Sequence, residues 1–160
     1  MHHPDHKSVF VQLQWHGPYR IAAGREIRPA PEAELGSQAV PDRLPDTGVY
    51  MIVGNHHVHG PRSLLYIGQS IELAKRRLPS HASWLENEWR PEIFAAAVKE
   101  DLVRAVESLL IYAHSPAYCA REVSKLGEAV PDEGLRIWNT GSFTRLLPEV
   151  SSVHPWYRNV

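Results

Sequence analysis

The sequence is poor in the features that define several protein classes. It has one cysteine, Cys119, in 160 residues, and its 17 Lys and Arg nearly balance its 18 Asp and Glu, giving a formal net charge of −1. A single cysteine cannot form an intramolecular disulfide or a multi-cysteine zinc site. The charge balance excludes binding to polyanions by bulk charge alone, although it does not exclude a local basic site.

Long apolar segments are also missing. No run approaches the roughly 18 apolar residues of a transmembrane helix, and residues 1–7 lack the apolar core of a signal peptide. We therefore expect no membrane span and no export by that route, with a cytoplasmic location as the default for a chain with one cysteine. The composition, 43% hydrophobic and 22% charged, is that of an ordinary globular protein.

The chain divides into three sections that we expect to form one compact domain. Residues 1–46 are an irregular, proline-rich N-terminal extension, with a short strand predicted at 9–13 that ends at His16-Gly17-Pro18. Residues 47–125 are the best organised part. Residues 126–160 form a C-terminal extension with one further apolar run, Leu135-Arg136-Ile137-Trp138.

Secondary structure is most clearly predicted in the middle section. Runs rich in β-branched and aromatic residues predict three strands, at residues 48–53, 63–68 and 93–98. The first two would form a hairpin with a long loop at 54–61. One helix is predicted from Ser70 to about residue 78. A second is predicted from Asp101 to Pro116, because apolar residues recur there at spacings of three and four.

Two tripeptides on the predicted hairpin are followed by a set of polar residues in a fixed order. The tripeptides are Gly48-Val49-Tyr50 and Tyr66-Ile67-Gly68, and downstream come Lys75-Arg76-Arg77, His81 and then Glu107 inside the second helix. In this order the residues resemble the GIY-YIG nuclease superfamily. The resemblance covers close to half of the chain and leaves both ends unexplained.

The resemblance implies an α+β fold in which a small, three-stranded, mainly antiparallel sheet is flanked by helices. It also implies a metal-dependent endonuclease that hydrolyses phosphodiester bonds in DNA, with RNA not excluded and Mg²⁺ or Mn²⁺ as cofactor. Such hydrolysis needs an activated water, a cation for the non-bridging oxygens and a metal at the leaving oxygen. Because the charge is near zero, we expect weak DNA binding unless a second copy or a protein partner adds basic surface.

The resemblance also assigns roles to five catalytic residues. Tyr50 is expected to be the general base or proton relay, and Tyr66 to position the attacking water. A phenol has a reference pKa of about 10, so it needs a nearby cation to act as a base. His81 would assist its deprotonation, Arg77 would stabilise the phosphate charge, and Glu107 would bind the metal.

Three further residues are expected to bind substrate. Gly68 would allow close approach of the backbone, while Lys75 and Arg76 would contact phosphate. The identity of the catalytic arginine depends on the alignment, and alignment on His81 favours Arg77 over Arg76.

The sequence also departs from the family pattern. Cys119 stands near a position where many members have an asparagine, and Asn139 is a candidate replacement. This departure favours an alternative, a catalytically weak nucleic-acid-binding or assembly module with the same fold. A third hypothesis is a metal sensor built on His56, His57 and His59, because imidazole suits zinc, copper and nickel, although loop histidines without a nearby Cys or carboxylate are usually plain loop residues.

Overall fold

A computed structural model describes residues 8–21, 27–30, 40–73, 91–119 and 130–153 of the chain. Four of the predicted site residues, Lys75, Arg76, Arg77 and His81, lie outside these ranges. Most of the helix predicted after Ser70 also lies outside them.

The described residues form seven strands and one helix. They are β1 (Val9–Ile21), β2 (Ile27–Pro29), β3 (Gly48–His56), β4 (Gly60–Ser70), β5 (Glu92–Ala97), α1 (Val103–His114), β6 (Leu135–Gly141) and β7 (Glu149–Ser151). All seven strands belong to one sheet in the order β4-β3-β5-β1-β6-β7, with β2 also paired to β1. The β1–β6 pair is parallel and the other pairs are antiparallel.

The three strands and the second helix predicted in the middle section are confirmed. β3 and β4 contain the first two predicted strands, β5 covers the third except for its last residue, and α1 begins two residues after Asp101. The hairpin loop is shorter than predicted, because β3 continues to His56 and β4 already begins at Gly60. In the described part of the chain, no helix is long and apolar enough to cross a membrane.

The prediction of a small three-stranded sheet flanked by helices is wrong. β4, β3 and β5 do pair in that order, but β5 also pairs with β1, and β6 and β7 follow beyond β1. The reason is the length of β1, which at 13 residues can pair with β6 along its first half, with β5 in the middle and with β2 at its end. Local sequence patterns do not reveal such long-range pairing.

β1 also continues through the point where it was predicted to stop. Its register with β5 shifts between His16 and Tyr19, and the cis peptide Gly17-Pro18 lies inside this irregularity. A proline has no N–H to donate to a neighbouring strand, so a bulge is one of the few places where a sheet accepts it. The strand therefore bends here and continues to Ile21.

The sheet buries apolar side chains on both faces. Alternation along β3 sends Val49, Met51 and Val53 to one face, which we call the helix face because the apolar stripe of α1 packs there. Tyr50 and Ile52 point to the opposite face, which we call the tyrosine face. Burial on both sides explains why β3 is apolar along nearly its whole length.

The segment that precedes β3 closes the tyrosine face. Leu44 is buried against this face, and the Tyr19 hydroxyl donates a hydrogen bond to the Pro41 carbonyl at 2.9 Å. Burial, with a smaller contribution from the negative charge of Asp42, raises the pKa of Tyr19 to about 12. The face that carries Tyr50 is thus part of the core.

Candidate functional site

The β3–β4 hairpin brings the two motif tyrosines together. In its register Tyr50 lies opposite Gly68 and Ile52 lies opposite Tyr66, so both tyrosines project from the same face. Their ring centroids are 5.9 Å apart and the ring planes are inclined by 34°. The structure therefore juxtaposes two of the predicted catalytic residues.

Gly68 provides the space in which these rings lie. A Cβ atom at this position would be 2.6 Å from Cζ and Oη of Tyr50 and 2.7 Å from Cε1 of Tyr66. Carbon atoms do not approach so closely, so any larger residue here would displace a buried ring. The role predicted for Gly68 was close approach of substrate, whereas the described contact is with the two tyrosines.

The two tyrosines differ in exposure. Tyr50 is 1% exposed, whereas Tyr66 is half-buried and packs against the apolar clusters on both faces of the sheet. This position follows from an irregularity in β4, where Tyr66 pairs with Ile52 but Leu64 already pairs with Val53. Of the two side chains, Tyr66 is the one that solvent reaches.

Glu107 lies on α1, which covers the helix face. Its side chain is half-buried, and Val103 and Ile111, one turn away on either side, are both buried. Because α1 packs on the face opposite Tyr50, Glu107 and Tyr50 are on different sides of the sheet. Tyr66 packs against the apolar clusters on both faces.

Cys119, which stands near the family's asparagine position, and Asn139, the candidate replacement, both make structural contacts. Cys119 is buried, and its Sγ lies 3.4 Å from the Ile67 nitrogen and 3.6 Å from the Ile67 oxygen. The Oδ1 of Asn139 accepts a hydrogen bond from Trp15 Nε1 at 2.9 Å, and its Nδ2 donates to the Leu147 carbonyl at 2.8 Å. Asn139 is on β6, which β1, β5 and β3 separate from β4.

The three histidines of the hairpin form a stacked cluster around a turn. The rings of His57 and His59 lie 4.5 and 4.7 Å from that of His56. The Nδ1 of His56 accepts hydrogen bonds from the backbone N–H groups of Val58 and His59, each at 3.2 Å. Among the described residues no group of three His, Cys, Asp or Glu is arranged to hold a metal.

A groove that was not predicted from the sequence lies beside this turn. It has a volume of about 390 Å³ and lies between the first residues of β4, the end of α1 and the segment that carries Arg145. Arg62, His59 and His114 also line it. No local motif joins these residues, which are brought together only by the fold.

No family model, curated protein or solved structure matches this chain. The resemblance to the GIY-YIG superfamily thus rests on the motif residues themselves.

Proposed function

We propose that this protein is a metal-dependent endonuclease that hydrolyses phosphodiester bonds in DNA. The observation that carries the proposal is the pairing of Tyr50 and Tyr66 across Gly68, with ring centroids 5.9 Å apart. The three motif residues Tyr50, Tyr66 and Gly68 are therefore in direct contact with one another. The proposal includes a cytoplasmic location, which a chain with a single, buried cysteine favours.

The difference in exposure favours an exchange of the roles predicted for the two tyrosines. Tyr50, at 1% exposure, is too buried to contact a water molecule on the substrate. In the proposed mechanism Tyr66 contacts the attacking water and Tyr50 holds the Tyr66 ring in position. A phenol of ordinary pKa needs a cation to become a base at neutral pH, and Arg77 and His81 are the residues proposed to supply it.

Glu107 is the residue proposed to bind the metal. No group of three His, Cys, Asp or Glu residues in the described part of the chain is arranged to hold a metal, so the proposed protein ligand set is the single carboxylate of Glu107 on the helix face. That set suits Mg²⁺, which commonly binds through one or two carboxylates with water and phosphate oxygens completing its coordination; Mn²⁺ is the alternative ion. When bound, the ion would neutralise charge on the leaving oxygen. Lys75 and Arg76 remain proposed phosphate contacts.

A cleavage assay with a matched pair of variants tests this proposal. Supercoiled plasmid and single-stranded DNA are incubated with the full chain and Mg²⁺ or Mn²⁺, with EDTA as the blank. We expect Glu107→Gln to slow cleavage about a hundredfold or more, because loss of a metal ligand removes several kcal/mol of transition-state stabilisation. Glu100→Gln, an exposed carboxylate just before α1, is the control and should cut like the wild type. Equal cutting by all three proteins would contradict the proposal.

A second candidate function is a nucleic-acid-binding module without hydrolysis. The observation that favours it is an exposed aromatic pair on adjacent strands: Phe10 and Trp138 are 56% and 50% exposed, with ring centroids 6.4 Å apart. Exposed rings on a sheet are a surface on which unpaired bases stack. This candidate predicts no cleavage even at high protein concentration, and weaker binding of a labelled single-stranded oligonucleotide by Trp138→Ala. Val58→Ala, 72% exposed on the hairpin turn, is the control.

A further inference from the structure

The groove beside the hairpin turn is open, mainly polar and large enough for a small ligand. Its volume of about 390 Å³ falls within the roughly 300–1,000 Å³ of small-molecule sites. Its polar side chains are cationic or neutral, and no acidic residue is among the described residues that line it. They include Arg62, Arg145, His59, His114 and Ser115.

The charge in this groove comes mainly from Arg145. Arg62 is partly compensated, since its Nε lies 3.2 Å from Oε1 of Glu92. Arg145 is exposed and has no ion pair within the described ranges. The C-terminus of α1 adds a partial negative charge of about half an elementary charge at Ser115, which is smaller than the full charge on Arg145. The groove is therefore net positive, though only modestly so.

Residues with a left-handed backbone conformation lie around the same groove. Within the described residues, three non-glycine residues have a positive φ: Arg62 at 50°, Ser115 at 46° and Thr144 at 30°. Ser115 is the C-terminal cap of α1, where this conformation is common. Arg62 lines the groove and Thr144 precedes Arg145, and such conformations away from helix ends are found at ligand sites more often than elsewhere.

His114 fixes the wall of the groove. Its Nε2 accepts a hydrogen bond from the Leu147 backbone N–H at 2.8 Å, and its Nδ1 lies 2.8 Å from the Leu110 carbonyl oxygen. A backbone N–H can only donate, so the ring is neutral, with its proton on Nδ1. The bond from Leu147 ties the end of α1 to the segment that carries Arg145, and the contact with Leu110 holds the ring against its own helix. The groove is thus formed before a ligand arrives, which lowers the entropic cost of binding.

We infer that this groove binds the phosphate group of a nucleotide, either free or within a nucleic-acid strand. The guanidinium of Arg145 offers the planar pair of donors that phosphate oxygens accept. Leu64 and Ala117 provide apolar lining beside it for the sugar or base. The inference goes beyond the proposed hydrolysis and does not require it, because phosphate binding here needs neither the tyrosines nor a metal.

Binding titrations in EDTA test the inference without any cleavage. The probes are inorganic phosphate, adenosine monophosphate and a short labelled single-stranded oligonucleotide. We expect saturable binding of at least one nucleotide probe, and an affinity at least about tenfold lower for Arg145→Ala, because a hydrogen bond to a charged group is lost. Arg145→Lys, which keeps the charge without the planar fork, should fall in between. Arg104→Ala, at an exposed arginine on the first turns of α1, is the matched control and should bind like the wild type.

The probes also distinguish the two sources of phosphate. Binding of both adenosine monophosphate and the oligonucleotide assigns the groove to free nucleotides as well as strands, whereas binding of the oligonucleotide alone assigns it to a strand. Absence of saturable binding by every probe would overturn the inference. An equal loss in Arg145→Ala and Arg104→Ala would also overturn it, because the binding would then depend on overall charge. A protein that binds these probes but cuts no DNA would leave this inference standing while removing the proposed hydrolysis.

Discussion

At the scale of single residues, the packing of the two tyrosine rings on the hairpin requires that residue 68 have no side chain. The tyrosine rings fill the volume that a side chain would take, and Tyr50 cannot move away because it is itself buried. The sequence motif placed the two tyrosines on paired strands, as the structure has them, but it did not predict that Gly68 lies against their rings. It did not reveal that Tyr50 would be covered, because the covering residues, Tyr19 and Leu44, belong to the section interpreted as an irregular extension.

We therefore predict that Gly68→Ala destabilises the protein. The new methyl group would be 2.6 Å from the Tyr50 ring, and forcing a methylene-sized group into a packed core costs about 1–3 kcal/mol. Urea unfolding measures the change in free energy.

A double-mutant cycle provides the control. In a Tyr50→Leu background the contacts of the new methyl group with the Tyr50 ring are removed, although its 2.7 Å contact with Cε1 of Tyr66 remains. Gly68→Ala should therefore cost less there than it does in the wild type. An equal cost in both backgrounds would show that the contact with Tyr50 is not the cause.

At the scale of elements, the sequence predicted those whose pattern is local. β3, β4, β5 and α1 each contain their own apolar periodicity, and each is confirmed. β1 was predicted too short because Gly17-Pro18 is an ordinary stop signal, and only its location in a bulge beside β5 lets the strand continue. The short segment after α1 was not predicted at all, yet it covers the edge of β4. There Ala117 N–H donates to the Leu64 carbonyl at 3.1 Å.

Cys119 anchors that segment, so its removal should loosen it. We predict that Cys119→Ala lowers the free energy of unfolding by about 1–3 kcal/mol, through lost packing and lost contacts to Ile67. In the wild type, the thiol should react with a thiol reagent only as fast as the protein opens, because Cys119 is 0% exposed. Rapid labelling of the folded protein, or an alanine variant as stable as the wild type, would contradict this role.

His114 makes the junction between α1 and the Leu147 segment sensitive to acid. Burial lowers the pKa of His114 below its usual value of about 6.5, although its bond to the Leu110 carbonyl acts in the opposite direction. The unfolded chain then binds a proton more readily than the folded one. The stability contributed by neutral His114 is complete above pH 6.5 and is lost as the pH falls below it.

We predict that the free energy of unfolding of the wild type falls more steeply between pH 6.5 and 5 than that of His114→Gln, which has no titrating ring. Chemical unfolding at a series of pH values measures both. Identical slopes would show that His114 does not contribute to the acid sensitivity.

At the scale of the whole molecule, the sheet is built from contacts that no local pattern reveals. The parallel pairing of β1 with β6 joins the first and last sections of the chain. Together with the pairing of β1 to β5 and β2, it extends the expected three-stranded sheet to seven strands. The candidate site, too, could be predicted from local sequence patterns only in part. The motif identified the tyrosines, but the groove with Arg62 and Arg145 exists only because β4, α1 and a late loop meet.

Single-turnover cleavage of DNA by Tyr66→Phe with Mg²⁺ present tests most directly whether Tyr66 activates the attacking water. Tyr118→Phe, which removes a hydroxyl from a partly exposed tyrosine outside the motif, is the matched control. If Tyr66 has this role, Tyr66→Phe should cut about a hundredfold or more slowly, and Tyr118→Phe should cut at the wild-type rate. Cleavage by Tyr66→Phe at the wild-type rate would contradict the role of Tyr66, and a wild-type protein that cuts nothing would contradict the proposed hydrolysis.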